Sequence, residues 1–308
     1  MKILATRHFP GPAWDDLRDV EYDEGPLTAH RPDIEALALV GVVVDAQFLE
    51  LFPNLRLVAN YGVGYDDIDV AACTARGVAV TNTPGVLDAA TADLTLALIL
   101  AIRRRIVESD AFVRAGRWGT DWASGALLAH EVTGATLCIV GLGRIGHAVA
   151  RRARGFEMRL LYAQRKRLGE AEERELGAEF RHLDDLLREA DIVTLHVPLT
   201  TDTAGLLDER RLGLLRDGAC LVNTARGAVV DQQALVAELV TGRIRAALDV
   251  FTDEPEVPRE LLDLPNVVLT PHLGSATQET REAMTRVLVE NLLAAAAGRP
   301  LPNPVYAS

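Results

Sequence analysis

The sequence predicts an α/β protein of two Rossmann- or flavodoxin-like lobes, doubly wound parallel sheets, with the lobe that begins the chain discontinuous in sequence. Three observations carry this. Short apolar runs alternate with helical patterns, as parallel βαβ units require. A glycine-rich turn, Gly141-Leu142-Gly143-Arg144-Ile145-Gly146, joins a strand-like run to a helix. The 308 residues allow one large domain or two ordinary ones, because single cores rarely grow beyond roughly 250–300 residues.

Taken in order, Met1–Arg7 reads as a first strand rather than a signal peptide, its apolar run being too short. Leu55–Asn60 is strand-like, Asp69 can cap a helix Val70–Arg76 that Gly77 ends, and Val78–Thr81 is the next strand. After Pro84-Gly85 the segment Val86–Ile106 reads as one helix, nearly all apolar around Leu94–Ile102. Such a helix should be buried, here between two lobes, with Arg103-Arg104-Arg105 marking its return to solvent. A second series of strands is expected at Thr136–Val140, Arg159–Tyr162, Asp191–Val197, Ala219–Asn223, Ile244–Val250 and Asn266–Thr270, making one six-stranded sheet. The last helix, Ala276–Ala297, opens with Ser275 and Gln278 at capping-box spacing and stops at Gly298 before Pro300. Its return to the first lobe sets the expected domains at residues 1–98 with 276–308 and residues 99–275.

Composition narrows the function classes. Hydrophobic residues make up 49% and charged residues 25%, ordinary for a soluble globular protein. The net charge of −12, with no basic run longer than Arg165-Lys166-Arg167, argues against nucleic acid as a partner. No stretch reaches the roughly 18 apolar residues of a membrane span. Cys73, Cys138 and Cys220 are far apart among small apolar residues, so buried thiols in a reducing, cytoplasmic setting are expected. His8, His30, His130, His147, His182 and His196 show no metal-ligand spacing, and no metal is expected.

The glycine turn points to a dinucleotide. Leu137–Val140 precedes it and the helix Arg144–Arg154 follows. Gly141 permits the tight turn, Gly143 lets backbone approach a pyrophosphate, and Gly146 lets helix and strand pack closely. The free N–H groups and positive end of the helix would face the phosphates. An NAD site would place an acidic residue about 20 residues on, to hold the ribose hydroxyls. Tyr162-Ala163-Gln164-Arg165-Lys166-Arg167 stands there instead, offering a 2′-phosphate two or three cations. NADP(H) is the preferred cofactor and NAD(H) a possible one; the other reading of the basic run is a solvated loop.

Three chemistry-bearing residues fall at or near the C-terminal ends of late strands, where open α/β sheets bind ligands. They are Arg226 in Asn223-Thr224-Ala225-Arg226-Gly227, Glu254 in Asp249–Pro255, and His272 in Thr270-Pro271-His272-Leu273-Gly274-Ser275. Reducing a 2-keto acid needs a hydride donor, a proton donor for the carbonyl oxygen and a cation for the carboxylate. Histidine can give and regain the proton, a neighbouring carboxylate favours its charged form, and arginine can grip a carboxylate with two N–H groups. Alone, each residue has a blander reading: a surface cation, a turn, a structural histidine. Together, in this order and beside a dinucleotide turn, they form a catalytic set.

With these residues in view, the sequence resembles the D-isomer-specific 2-hydroxyacid dehydrogenase family, and within it the glyoxylate/hydroxypyruvate reductases. The match covers nearly the whole chain, through Tyr61–Asp66, Thr81–Val86, the glycine turn, His196-Val197-Pro198-Leu199-Thr200 and the three catalytic segments. The resemblance implies that Arg226 binds substrate, His272 is the acid/base, Glu254 partners it, and main-chain N–H groups of Val63 and Gly64 receive the substrate carboxylate. It implies a cofactor lined by Thr91, Arg144, Ile145, Val197, Pro198, Thr224, Ala225, Asp249, His272 and Gly274, with Gln164, Arg165 and Lys166 around the adenosine 2′-position. Asp249 could instead cap a strand end. It implies a homodimer, in which Trp118 and Trp122 of the Arg117–Trp122 segment could anchor the interface or cover their own core. The loop Gly41–Gln47 looks shorter than its counterpart in the glyoxylate reductases, where it walls the substrate side chain. Two rivals share the frame: a phosphite dehydrogenase-like oxidoreductase and an NAD(H)-sensing, corepressor-like binding protein. The Thr224-Ala225 pair counts against the first and the intact Arg226, Glu254 and His272 against the second.

Overall fold

The computed structural model describes residues 1–119 and 127–306. The chain divides into two units, Met1–Leu87 with Ala276–Ser308, and Asp88–Ser275. The first begins with strands β1 (Ile3–Ala5), β2 (Val20–Tyr22), β3 (Ala36–Leu39) and β4 (Leu57–Asn60), then helix α1 (Val70–Ala75) and strand β5 (Ala79–Thr81). Asp69 caps α1 as expected, its carboxylate accepting the Ala72 N–H at 2.8 Å, a contact of about 1 kcal/mol in typical helices. Leu4, Leu37, Leu39, Val58, Cys73 and Val80 pack into one core.

The second unit opens on α2 (Asp88–Arg103) and α3 (Ile106–Arg114). One continuous helix was expected over Val86–Ile106; Arg105 breaks it by turning left-handed, at φ 53°. Arg103 does not return to solvent either. It is buried and donates through Nε to the Glu131 carbonyl at 3.0 Å. Helix α2 is not apolar all round, since Asp93 and Ala97 are exposed. The first division of the chain falls at Leu87/Asp88 rather than at 98/99, because the whole of α2 packs on elements of this unit.

Those elements follow in alternation: β6 (Thr136–Val140), α4 (Arg144–Ala153), β7 (Arg159–Ala163), α5 (Glu170–Leu176), β8 (Ala178–Phe180), α6 (Leu183–Glu189), β9 (Ile192–Leu195), α7 (Glu209–Leu212), β10 (Cys220–Asn223), α8 (Gln232–Val240), β11 (Arg245–Leu248), α9 (Arg259–Leu262) and β12 (Val267–Leu269). They form a sheet of seven strands, ordered β12-β11-β10-β9-β6-β7-β8, with every pair parallel. The seventh strand, β8, is a correction to the six expected. Its three residues are too few to show periodicity, and it is held by pairing with β7. The strand order reverses at β6, between β7 and β9, the position at which doubly wound sheets open a ligand-binding crevice.

The chain then returns to the first unit through α10 (Gln278–Ala296) and β13 (Pro304–Val305), giving that sheet the order β13-β5-β4-β3-β1-β2. All its pairs are parallel except β13 on β5. The cap of α10 is Thr277, whose hydroxyl accepts the Thr280 N–H at 3.2 Å, not Ser275. Residue 277 keeps extended backbone, which delays the helix and breaks the expected capping box.

Candidate active site

The glycine turn is built as the sequence predicts. Its backbone is tied on both sides, Gly141 N–H to the Ala163 carbonyl at 2.9 Å and His196 N–H to the Val140 carbonyl at 2.8 Å. Gly141 lies at φ 92°, and a Cβ there would stand 2.7 Å from the His196 carbonyl oxygen. A Cβ on Gly146 would stand 2.3 Å from the Gly141 carbonyl oxygen. On Gly143 it would meet nothing within 4 Å. Two glycines therefore serve the fold, and the third keeps an approach open at the start of α4, where Gly143 has no side chain with which to cap the first-turn amides. This cradle fits a dinucleotide pyrophosphate. His196, in the adjacent segment, has its Nε2 buried without a partner among the described residues, and burial pulls its pKa down to about 4.

At the end of β7 the acidic residue of an NAD site is replaced by Gln164. Its Oε1 accepts the Leu142 N–H at 3.1 Å and its Nε2 donates to the Lys166 carbonyl at 2.6 Å. The loop is thus stitched to the glycine turn. Arg165 and Lys166 are exposed, with Arg165 3.7 Å from Asp202. Arg167 is engaged elsewhere, donating through Nε and Nη2 to the two oxygens of Glu173, each at 2.8 Å. All three cations of the basic run are exposed, but Arg167 is paired with Glu173, which leaves Arg165 and Lys166 as the two not held by the next helix.

Arg226, Glu254 and His272 lie just beyond β10, β11 and β12, all in the second unit. The His272 Nδ1 is 2.7 Å from Glu254 Oε2. The other oxygen, Oε1, accepts the Phe251 N–H at 2.9 Å, so the carboxylate is oriented from both sides. Burial works against the Glu254 charge, but the His272 contact, the Phe251 N–H and the charges of His272 and Arg226 together outweigh it and hold the carboxyl below its usual range. Arg226 begins a tight turn, Gly227–Val229, with its carbonyl accepting from Asn223 Nδ2 at 2.8 Å and its Nη1 donating to the Ala225 carbonyl at 2.8 Å. Gly227 must be glycine, since a Cβ would fall 2.0 Å from the Phe251 carbonyl carbon. The structure brings the expected trio to one edge of one sheet.

His272 sits in the left-handed region at φ 53°, a conformation that costs a non-glycine residue on the order of 1–3 kcal/mol and persists only when its surroundings enforce it. Asp249 enforces it. Its main-chain oxygen accepts the His272 N–H at 2.9 Å, Oδ1 accepts from Leu273 N and Thr270 Oγ1 at 2.7 and 2.6 Å, and Oδ2 accepts from Gly274 N at 2.9 Å. Burial raises the Asp249 pKa against these hydrogen bonds. Among the other residues expected to line the cofactor, Thr91 donates to the Gly274 carbonyl at 3.1 Å and Thr224 shares a 3.0 Å hydrogen bond with Thr95. Val197 lies against Gly141. Arg144 and Ile145 open α4, and Pro198 and Ala225 follow β9 and β10.

The Val63–Gly64 turn lies in the first unit. Asn82 donates to the Val63 carbonyl at 2.9 Å, Asn60 to the Gly64 carbonyl at 2.7 Å, and Thr83 N–H to the Gly62 carbonyl at 3.0 Å. In a planar trans peptide the N–H points opposite its carbonyl, so the Val63 and Gly64 amides are turned away from these partners. Asn60, Asn82, Thr270 and the Phe251 amide support the expected site residues; the last three stand inside the segments that carry the resemblance, but none of the four was expected to have a role. Trp118 is exposed, and Trp122 lies outside the described residues.

The chain belongs to the D-isomer-specific 2-hydroxyacid dehydrogenase family. Residues 96–274 match the family pattern described as "D-isomer specific 2-hydroxyacid dehydrogenase, NAD binding domain", so the second unit carries a nicotinamide-dinucleotide-binding domain. A glyoxylate reductase from Thermococcus litoralis is 51% identical over 286 residues, covering 91% of this chain and 86% of its own. A crystal structure of a protein from Thermus thermophilus superposes with a TM-score of 0.91 at 45% identity, covering 99% of this chain and all of its own. The NADPH-dependent glyoxylate/hydroxypyruvate reductase of Sinorhizobium meliloti, solved with NADP and malonate, gives a TM-score of 0.86 at 34% identity, covering 99% of this chain and 96% of its own.

Proposed function

We propose that this protein reduces a small 2-keto acid, glyoxylate or hydroxypyruvate, to the D-2-hydroxy acid, with NADP(H) preferred over NAD(H). The observation that carries the reading is the 2.7 Å His272–Glu254 pair at the sheet edge that also holds Arg226. With Nδ1 committed to Glu254, the opposite ring nitrogen of the half-exposed His272 holds the proton destined for the carbonyl oxygen. Glu254 stabilises the charged imidazole and fixes its plane. Arg226 takes the substrate carboxylate and polarises the adjacent carbonyl. A bound nicotinamide supplies the hydride to C2. The choice of glyoxylate and hydroxypyruvate is supported by the similarity to a glyoxylate reductase and to a glyoxylate/hydroxypyruvate reductase.

The NADP(H) preference rests on Gln164 in place of an acid and on exposed Arg165 and Lys166. Thr91, Arg144, Ile145, Val197, Pro198, Thr224, Ala225, Asp249, His272 and Gly274 would line the dinucleotide, with Gly141, Gly143 and Gly146 forming its pyrophosphate turn. The protein would act as a homodimer in the cytoplasm. Support for association is that α3 exposes Ile106, Val107 and Val113, and that Trp118 and Leu128 are exposed as well. Support for a reducing compartment is that the three cysteines are free and buried. The test is a panel of 2-keto acids run with NADPH and NADH side by side. Turnover of glyoxylate or hydroxypyruvate with a higher kcat/KM for NADPH is expected. Tight cofactor binding without turnover of any 2-keto acid contradicts the activity, and an NADH preference contradicts the cofactor assignment.

A further inference from the structure

Loop 164–168 begins and ends on tethers. At its start, Gln164 joins the Leu142 N–H of the glycine turn to the Lys166 carbonyl of the loop. At its end, the Leu168 N–H donates to the hydroxyl of fully buried Tyr162 at 3.0 Å, and that hydroxyl donates to Glu173 Oε1 at 2.5 Å. Arg167 closes the ring with its two hydrogen bonds to Glu173, and its guanidinium carbon lies 5.7 Å from the centre of the Phe180 ring. The fork of Arg167 is thus turned toward α5 and β8. Between the tethers stand Arg165 and Lys166, both exposed.

We propose that Arg167 is a positioning residue and not a phosphate ligand: latched to Glu173 and Tyr162, it sets the loop so that Arg165 and Lys166 present their charges to a ribose 2′-phosphate. The proposal rests on the NADP(H) reading above. Specificity then comes from two parts. Two exposed cations supply the attraction, and a fixed arginine–glutamate–tyrosine triad keeps the backbone between them from spreading. A lone flexible cation gains little at an exposed site, because holding it in place costs side-chain entropy; a loop fixed beforehand removes part of that cost. The direct-ligand alternative makes opposite demands on Glu173. If Arg167 bound phosphate itself, Glu173 would compete for it, and removing the carboxylate would strengthen binding.

The experiment is calorimetric titration of the wild type, Glu173→Gln and Arg167→Lys with 2′,5′-ADP and with 5′-AMP at fixed ionic strength. The expected result is that both variants lose at least about fivefold in affinity for 2′,5′-ADP, the scale of one charge-assisted contact, while 5′-AMP binding stays within about twofold. Glu173→Gln binding 2′,5′-ADP as tightly as the wild type, or more tightly, overturns the latch. A parallel fall for both ligands overturns it as well, because that marks a general structural role. A wild type that binds both ligands alike overturns the NADP(H) reading and the latch together, and is recognised without any variant.

Discussion

Two carboxylates in the second unit each hold a cation-bearing side chain, and they do so to opposite ends. Glu254 takes one nitrogen of His272 and, in the proposed mechanism, leaves the other for proton transfer. Glu173 takes both arms of the Arg167 fork and adds the Tyr162 hydroxyl. The difference lies in valence. An imidazole has two distinct nitrogens, so bracing one orients the other, whereas a guanidinium gripped on two N–H groups has its direction fixed. A positive residue beside a binding site can therefore act on the ligand or act on the loop, and only its partners tell which. The pKa directions follow the same contrast. Arg167 first and Tyr162 second hold the Glu173 carboxyl down to about 2, while Glu254 is lowered against an opposing burial cost.

The distinction between holding and touching extends to the glycines and gives the largest expected effect. Gly146→Ala places a methyl group 2.3 Å from a backbone oxygen. It should lower the melting temperature by several degrees, since overpacking of this kind costs on the order of 1–3 kcal/mol, and should abolish dinucleotide binding. Gly143→Ala meets nothing within 4 Å; it should melt with the wild type yet bind NADPH at least about tenfold more weakly, for lack of backbone approach. Equal melting of the two variants would remove the basis for assigning the glycines separate roles.

Glu254→Gln sharpens the comparison from the catalytic side. Without the carboxylate the imidazole loses the partner that fixes its plane, so the rate of keto-acid reduction should fall roughly tenfold. Stability should change in acid. The folded Glu254 carboxyl lies below its ordinary value, so its contribution is complete above the usual carboxylate range and is lost as pH falls through the lowered value. Acid unfolding of Glu254→Gln should lack that contribution. A rate of keto-acid reduction equal to that of the wild type would show that Glu254 does not act on His272.

Much of this was legible in the sequence. The glycine turn announced itself because three glycines at fixed spacing answer to a steric demand, and the catalytic trio because three chemically different groups fell at late strand ends. The α1 cap was readable because Asp69 acts three residues away. What escaped depended on long-range pairing. Strand β8 exists by hydrogen bonding to β7, and the break after α2 by a left-handed Arg105 and a buried Arg103. The engagement of Arg167 could not be read from a run of three cations, since Glu173 reaches it from the next helix. Asp249 illustrates the mixed case: its place near the site was expected, but its grip on the two amides after His272 appears only in the fold.

The central claim is that His272 supplies the proton. Measuring NADPH binding by fluorescence and glyoxylate reduction by steady-state rate in His272→Ala tests it most directly. The account predicts binding close to that of the wild type and a kcat lower by at least about 10²-fold, the scale of general acid catalysis. Turnover within a few-fold of the wild type would contradict it.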